Sequence, residues 1–301
     1  MDTKQKFEIG YQVITWDLIG HLEDSFPFLR KVGFKWFEGL VGDSLGDDFA
    51  RRHMTLGPVA LPPSGNDVQL IHRLGLFARA YVEYGLRVAS LFVDAEWINS
   101  LIWPYERDKF HAIAHFLKGC GSEYLICGGG PPAREKPHSD EDYELLRTKV
   151  EVIGAYTKKL GLRTVYHPHI DCFIETHEQL DRFMHVLDTD LVGLCIDPAH
   201  FQVSGDEPVD VIHSYIEDID YFHFKDVKGD VSKMEGFDRY LAFCEVGSGQ
   251  INYPAITDIL LRNNFDGMVI IEQDYSNNPE ESCIQSVKYM AEELGLNLNK
   301  P

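Results

Sequence analysis

Four residues of metal-binding type stand at the ends of short apolar runs: His167 after "LRTVY", Asp197 after "LVGLCI", His223 within "DYFHFK" and Glu272 closing "GMVIIE". Two imidazoles and two carboxylates form a mixed nitrogen and oxygen set. It suits one divalent ion, Mn²⁺ first, with Co²⁺, Mg²⁺, Fe²⁺ or Zn²⁺ as alternatives. Such an ion beside a polyhydroxylated ketone or aldehyde acidifies the proton next to the carbonyl, and a base then removes it. Each residue also has a plain structural reading. Asp197 before Pro198 is a good helix N-cap, and "YHPH" (166–169) a polar turn around Pro168. His223 reads equally as a satisfied core histidine, and Glu272 with Asp274 as a solvated strand end. The conjunction favours a site, because ligand types recur at equivalent positions on four consecutive runs.

The elements that must position these residues follow from the hydrophobic pattern. Strands are expected at 8–16, 34–39, 86–93, 123–128, 162–167, 191–197, 220–225 and 267–272. Helical periodicity falls at about 21–32, 67–84, 105–118, 140–159, 175–187, 208–217, 253–263 and 280–294. Eight strand-helix units in strict alternation, several strands apolar on both faces, describe an α/β protein. The expected architecture is a (β/α)₈ TIM barrel, one domain spanning 1–301. An open doubly wound sheet would carry a Gly-rich phosphate loop after its first strand, and "VITWDLIG" is no such loop. The Pro- and Gly-bearing stretches 57–66, 128–138 and 226–249 follow strands, where a barrel carries its active-site loops. Strand ends at 167, 197, 223 and 272 would then meet at one mouth.

Composition narrows the ligands. In 301 residues, 28 basic against 48 acidic side chains leave a net charge of −20, which opposes nucleic acid and anionic membrane surfaces. Small, neutral or metal-associated ligands remain. No apolar run approaches the ~20 residues of a bilayer span, and "MDTKQKFEIG" lacks the pattern of a secretory signal. A cytoplasmic location is expected. The six cysteines are scattered and read as reduced thiols. A homodimer is the base-rate expectation for assembly.

Other residues are candidates for the substrate. Trp16 and Trp103 lie near strand ends and would form an apolar wall, with core packing as the competing reading. Glu38, at the end of the second strand, would hydrogen-bond a hydroxyl. "CGGGPP" (127–132) reads as a tight turn, and "VGSGQINYPAI" (246–256) as loop geometry whose backbone amides are available to a ligand. His111 and His115, four apart on a helix, read as a surface pair.

Together "YHPHID…ET", "VGLCIDPAHFQVSGDEPVDVI", "YFHFKDV", "VGSGQINYPAI" and "GMVIIEQD" resemble the xylose-isomerase-like TIM-barrel superfamily of sugar isomerases and epimerases, nearest the subgroup that contains inosose dehydratase. The likeness is specific over about 162–290. Before that it rests on element order and "IGYQVITW". It implies one divalent metal at the ends of strands five to eight, with Asp197 from the family's "DxxH", His223 from its "HxKD" and Glu272 from its terminal "EQD". It places His200 and Lys225 beside the substrate. The usual strand-five ligand is a Glu within "ExH"; here His167 takes that place, and His169 matches the following His. The family's epimerases use the strand-five and strand-eight glutamates as a symmetric pair, so the replacement leaves His169, His200, Lys225 and the uncoordinated side of Glu272 as acid and base candidates. Gln250 also replaces the acid of the family's "GxGE".

These residues imply enolisation of a sugar or cyclitol. Isomerisation or epimerisation is expected first, because it needs only return of the proton; an inosose-type dehydration through the same first step is second. Phosphodiester cleavage, known in the same superfamily, needs extra histidines on strands three and four. Those strands end in "FVDAEW" and "ICGGGPP", without histidine. A non-catalytic sugar-binding barrel is the remaining alternative.

Overall fold

The computed structural model of the protein describes residues 4–41, 63–133 and 137–298. Eight strands close a parallel barrel: β1 (Glu8–Gln12), β2 (Trp36–Leu40), β3 (Arg87–Asp94), β4 (Tyr124–Gly128), β5 (Arg163–Tyr166), β6 (Val192–Ile196), β7 (Ile219–Phe224) and β8 (Met268–Ile271). Neighbours in sequence are neighbours in the barrel, and β1 pairs with both β2 and β8. Strands buried on both faces explain why their sequences run apolar rather than alternating. One cluster fills the barrel, including Trp36, Phe92, Val165, Cys195, Tyr221 and Ile270. A second, larger one lies between strands and helices, with Leu29, Phe110, Val150, Leu180 and Ile256 among its members. Each such side chain stabilises the fold by roughly 1.5–3 kcal/mol when fully buried.

Among the described residues, eight helices cover the barrel, at Leu22–Val32, Pro63–Tyr84, Trp103–Cys120, Asp140–Leu160, His177–Met184, Pro208–Tyr215, Tyr253–Arg262 and Pro279–Glu292. Their ends are written locally. Ser139 and Asp142 form a capping box at the start of Asp140–Leu160, Thr176 and Gln179 another before His177–Met184. Gly161, at φ 79°, ends the first of these in the left-handed conformation that glycine takes without strain.

Among the described residues, shorter helices lie at Ile14–Leu18, where strand was expected, at Pro198–Ser204, which the N-cap reading of Asp197 anticipates, and at Asp238–Leu241, where a loop was expected. The first is a correction. The run "EIGYQVITW" is apolar throughout, but β1 stops at Gln12 and the chain turns helical. The stretch 57–62 lies outside the described residues. Among the described residues no helix is long and apolar enough to cross a membrane. All six cysteines are free thiols, with Cys127, Cys195, Cys244 and Cys283 buried.

Candidate active site and metal centre

The carboxyl ends of the strands surround a narrow pocket of about 20 Å³, room for about one water molecule. Its polar face is His167, His169, His223, Glu272 and Asp274; Gln12 and the apolar Ile14, Leu40 and Phe92 form the rest.

Asp197 ends β6 and is fully buried. Its Oδ1 accepts the Ala199 N–H at 2.8 Å, capping the helix Pro198–Ser204, while Oδ2 makes no hydrogen bond but faces the Lys225 ammonium at 3.2 Å and His200 Nε2 at 3.4 Å. Capping occupies one oxygen and leaves the other turned into the cluster around Lys225. Glu272 is divided in the same way. Oε1 accepts from Lys225 Nζ at 2.9 Å, and Oε2 is without a hydrogen bond. His223 Nε2 lies 3.0 Å from Glu38 Oε1, and Nδ1 faces Glu272 Oε2 at 2.9 Å without the geometry of a hydrogen bond. Ligand atoms of Asp197, His223 and Glu272 lie within 4.8 Å of one another. Asp197 Oδ2 has only its ion-pair contacts with Lys225 and His200, and Glu272 Oε2 and His223 Nδ1 face each other; buried polar atoms that converge without hydrogen bonds are costly unless a further cation joins them. The residues present fit a divalent ion, with two carboxylates and one imidazole as donors.

His167 stands beside this triad, its ring 4.7 Å from that of His223, but its ligand atoms group with Cys195 and His223, or with His169 and His200. Its Nδ1 donates to the Cys195 carbonyl at 3.2 Å, which leaves Nε2 as the available nitrogen. His169 Nδ1 donates to the Ile170 carbonyl at 2.6 Å, so its Nε2 is likewise a lone pair. Burial, then the Lys225 charge, push His169 down to about 4, and burial holds His167 and His200 well below the ordinary imidazole range. His223 is the exception. Burial opposes its charge, but Cys195, Glu38 and Glu272 around it outweigh burial and hold it well above that range.

Lys225 and His200 sit behind the pocket rather than in it. Lys225 is fully buried, its ammonium 2.9 Å from Glu272, 3.1 Å from Asp274, 3.2 Å from Asp197 and 3.3 Å from His200 Nε2. Burial alone would discharge it, but the three carboxylates keep it charged. It serves as a fixed counter-ion that holds one oxygen of each carboxylate. Against the expectation of a place beside the substrate, neither residue lines the pocket.

Three further expectations are corrected. Glu38 does not reach a substrate hydroxyl: it is fully buried inside the barrel, where Gln12 Nε2 and Tyr221 Oη each donate to it at 2.6 Å and His223 approaches from above. Trp16 belongs to the helix Ile14–Leu18, packs edge-on against Tyr11 in the outer core and does not line the pocket. Trp103 packs against Trp97 at 6.2 Å beneath the Lys149 ammonium. The apolar wall is instead Ile14, Leu40 and Phe92.

The "VGSGQ" amides are also committed elsewhere. Asp226 accepts from the N–H groups of Gly247, Gly249 and Ile251, each at 3.0 Å, and from its neighbour Val227 at 2.8 Å. A Cβ at Gly249 would lie 2.2 Å from Asp226 Oδ1, which explains the glycine. "CGGGPP" is a turn, with Gly129 and Gly130 at φ 90° and 87°. His111 stacks on Tyr156 and His115 reaches its hydroxyl at 2.9 Å, a pair on the outer helices.

Sequence reasoning passed over Gln12, Tyr221, Cys195 and Asp226, and gave Asp274 no role. Asp274 had a signal: two residues after Glu272, it returns to the same face of an extended chain. Burial pushes its carboxyl up, against the pull of Lys225. Arg239 and Asp171, paired at 2.7 Å, tie the segment after β5 to the one after β7 and so support His169.

A family model described as "Xylose isomerase-like TIM barrel" matches residues 26–293. Among curated proteins, a Clostridium botulinum inosose dehydratase is 30% identical over 98% of this chain and all of its own. Among solved structures, the probable 3-DHS dehydratase AsbF from Bacillus anthracis superposes with a TM-score of 0.71 at 12% identity, covering 95% of this chain and 100% of that one. The IolI protein, solved with a bound zinc atom, gives 0.70 at 15% identity over 95% and 97%.

Proposed function

This chain belongs to the xylose isomerase-like TIM barrel family, whose relatives here are enzymes, and we propose that it removes water from a polyhydroxylated cyclic ketone of the inosose type. The order of the two expectations from sequence is thereby reversed, with epimerisation second. Full-length likeness to an inosose dehydratase supports the reversal. The observation that carries it is the asymmetry of the two proton-handling groups facing the pocket. Epimerisation is served by two matched carboxylates that exchange one proton. Elimination needs one base and one different acid.

Here His169 Nε2 is a lone pair, because Nδ1–H is engaged by Ile170. Burial, then the neighbouring Glu272, push the Asp274 carboxyl up to about 7 against the pull of Lys225, so near neutral pH it can both hold and give up a proton. Asp197, His223 and Glu272, with His167 Nε2 as a fourth donor, would hold a divalent ion, which would supply Lewis-acid polarisation of the carbonyl. His169 takes the proton from the carbon next to that carbonyl. Asp274 delivers its proton to the hydroxyl on the following carbon, which departs as water. The enol left behind tautomerises to a diketone. Lys225 keeps Asp197 and Glu272 oriented throughout, and Ile14, Leu40 and Phe92 cover the C–H face of the ring.

The test is incubation of the Mn²⁺-loaded enzyme with inososes and with ketoses in D₂O, followed by NMR. A dehydrated diketone from an inosose is expected. Deuterium exchange with no loss of water, from any of them, would establish the epimerase reading instead, and no exchange at all would overturn enolisation.

A further inference from the structure

The triad is not the only set of donors that shares His223. Cys195 lies on β6 two residues before Asp197, so both side chains face the barrel interior, with Cys195 one layer deeper. Ligand atoms of His167, Cys195 and His223 lie within 4.8 Å of one another, all three side chains being buried. Where the family's strand-five ligand is an oxygen, this chain has an imidazole, and that imidazole stands beside a thiol. His167 is already oriented for it, since its Nδ1–H is held by the Cys195 carbonyl and Nε2 is left over. Two nitrogens and a sulfur are a soft set, whereas Asp197, His223 and Glu272 are mostly oxygen.

We propose that His167, Cys195 and His223 form a second, deeper metal subsite selective for thiophilic dications such as Zn²⁺ and Cd²⁺. It excludes an ion at the Asp197, His223 and Glu272 triad, and so inhibits. Binding breaks the Cys195 S–H bond and forms a metal–sulfur bond, with one proton released to solvent per ion. The two positions share the imidazoles of His167 and His223, and two dications repel at such range. Occupancy is therefore one or the other. This rests on the proposed catalytic ion at the triad, but the two are separable by which residues each metal needs.

The experiment is metal binding by the full chain, stripped of metal under reducing conditions, compared with Cys195→Ser and Cys195→Ala. With Co²⁺ as probe, a thiolate-to-cobalt charge-transfer band in the near ultraviolet is expected, and it disappears in both variants. Calorimetry with Cd²⁺ should show affinity falling at least about tenfold in the variants, with the extra released proton lost, while Mn²⁺ affinity stays within about twofold. Absence of the band in the parent protein, its persistence in Cys195→Ser, or unchanged Cd²⁺ affinity would overturn the deeper subsite. None of these outcomes touches the catalytic ion at the triad, which is tested separately: it falls if Asp197→Asn and Glu272→Gln leave Mn²⁺ binding intact.

Discussion

The two halves of the barrel mouth are built on opposite chemistry. Strands β5 to β8 contribute His167, His169, Asp197, His223, Lys225, Glu272 and Asp274, a charged cluster in which each carboxylate is held on one side by Lys225 or a backbone N–H. Strands β1 to β3 contribute Ile14, Leu40 and Phe92, with Gln12 and Glu38 placed low among them. The difference teaches that buried charges gather where they can satisfy one another, while the opposite wall is built of shape and apolar surface. Glu38 is the exception that links the halves. It comes from the apolar side but works on the charged one, fixing His223 with Nδ1 toward Glu272. Carboxylates behind ligating histidines commonly have this role.

If the charged half holds the ion, its loss should have the largest effect. Asp197→Asn or Glu272→Gln should weaken Mn²⁺ binding by more than about 100-fold, since partners behind the ligands alone are worth 10–100-fold. Activity should vanish with it, as read by calorimetry and turnover. Removing the proposed base should separate chemistry from binding. His169→Asn is expected to lower kcat by about 10²–10⁴-fold with Mn²⁺ affinity kept.

The same variant tests the proton balance. Folding lowers His169 from an ordinary 6.5 to about 4. In that window the unfolded chain takes up a proton that the folded one refuses. The stability His169 contributes is thus full above pH 6.5 and is lost as pH falls toward 4, by at most about 1.4 kcal/mol per pH unit. His169→Asn should flatten this part of the parent's denaturant-midpoint profile; an unchanged slope would contradict a buried neutral imidazole.

Smaller effects probe the link and the wall. Glu38→Gln should cost about 10–100-fold in Mn²⁺ affinity, because an amide can donate to His223 Nε2 and reverse its tautomer. Leu40→Ala should raise KM about tenfold with a lesser change in kcat, the mark of an apolar contact made equally in ground and transition states. The least effect is expected from Trp103→Phe, which should leave KM unchanged.

The barrel was legible because its signal is local and repeated. Runs such as "LVGLCID" and "GMVIIEQD" announce buried strands ending in a ligand type, and all eight strands lie where the pattern predicts, within a few residues. The charged half was legible for the same reason, since Asp197, His223 and Glu272 are strand ends. Trp16 misled because the apolar run "QVITW" continues past the point where the backbone turns helical. The pattern reports burial but not which side of the barrel wall the burial is on.

The sequence by itself determined the alternation of elements, the apolar strands and the residue types at their ends, because hydrophobic period and capping act over a few residues. Tertiary structure alone decided which atom of each side chain is free. Closure of β1 against β8 brings residues far apart in sequence into one shell, and there Glu38 reaches under His223 while Lys225 takes one oxygen from each carboxylate. Which nitrogen of His223 faces the triad, and that Lys225 is a counter-ion instead of a base, follow from those contacts and from no local pattern.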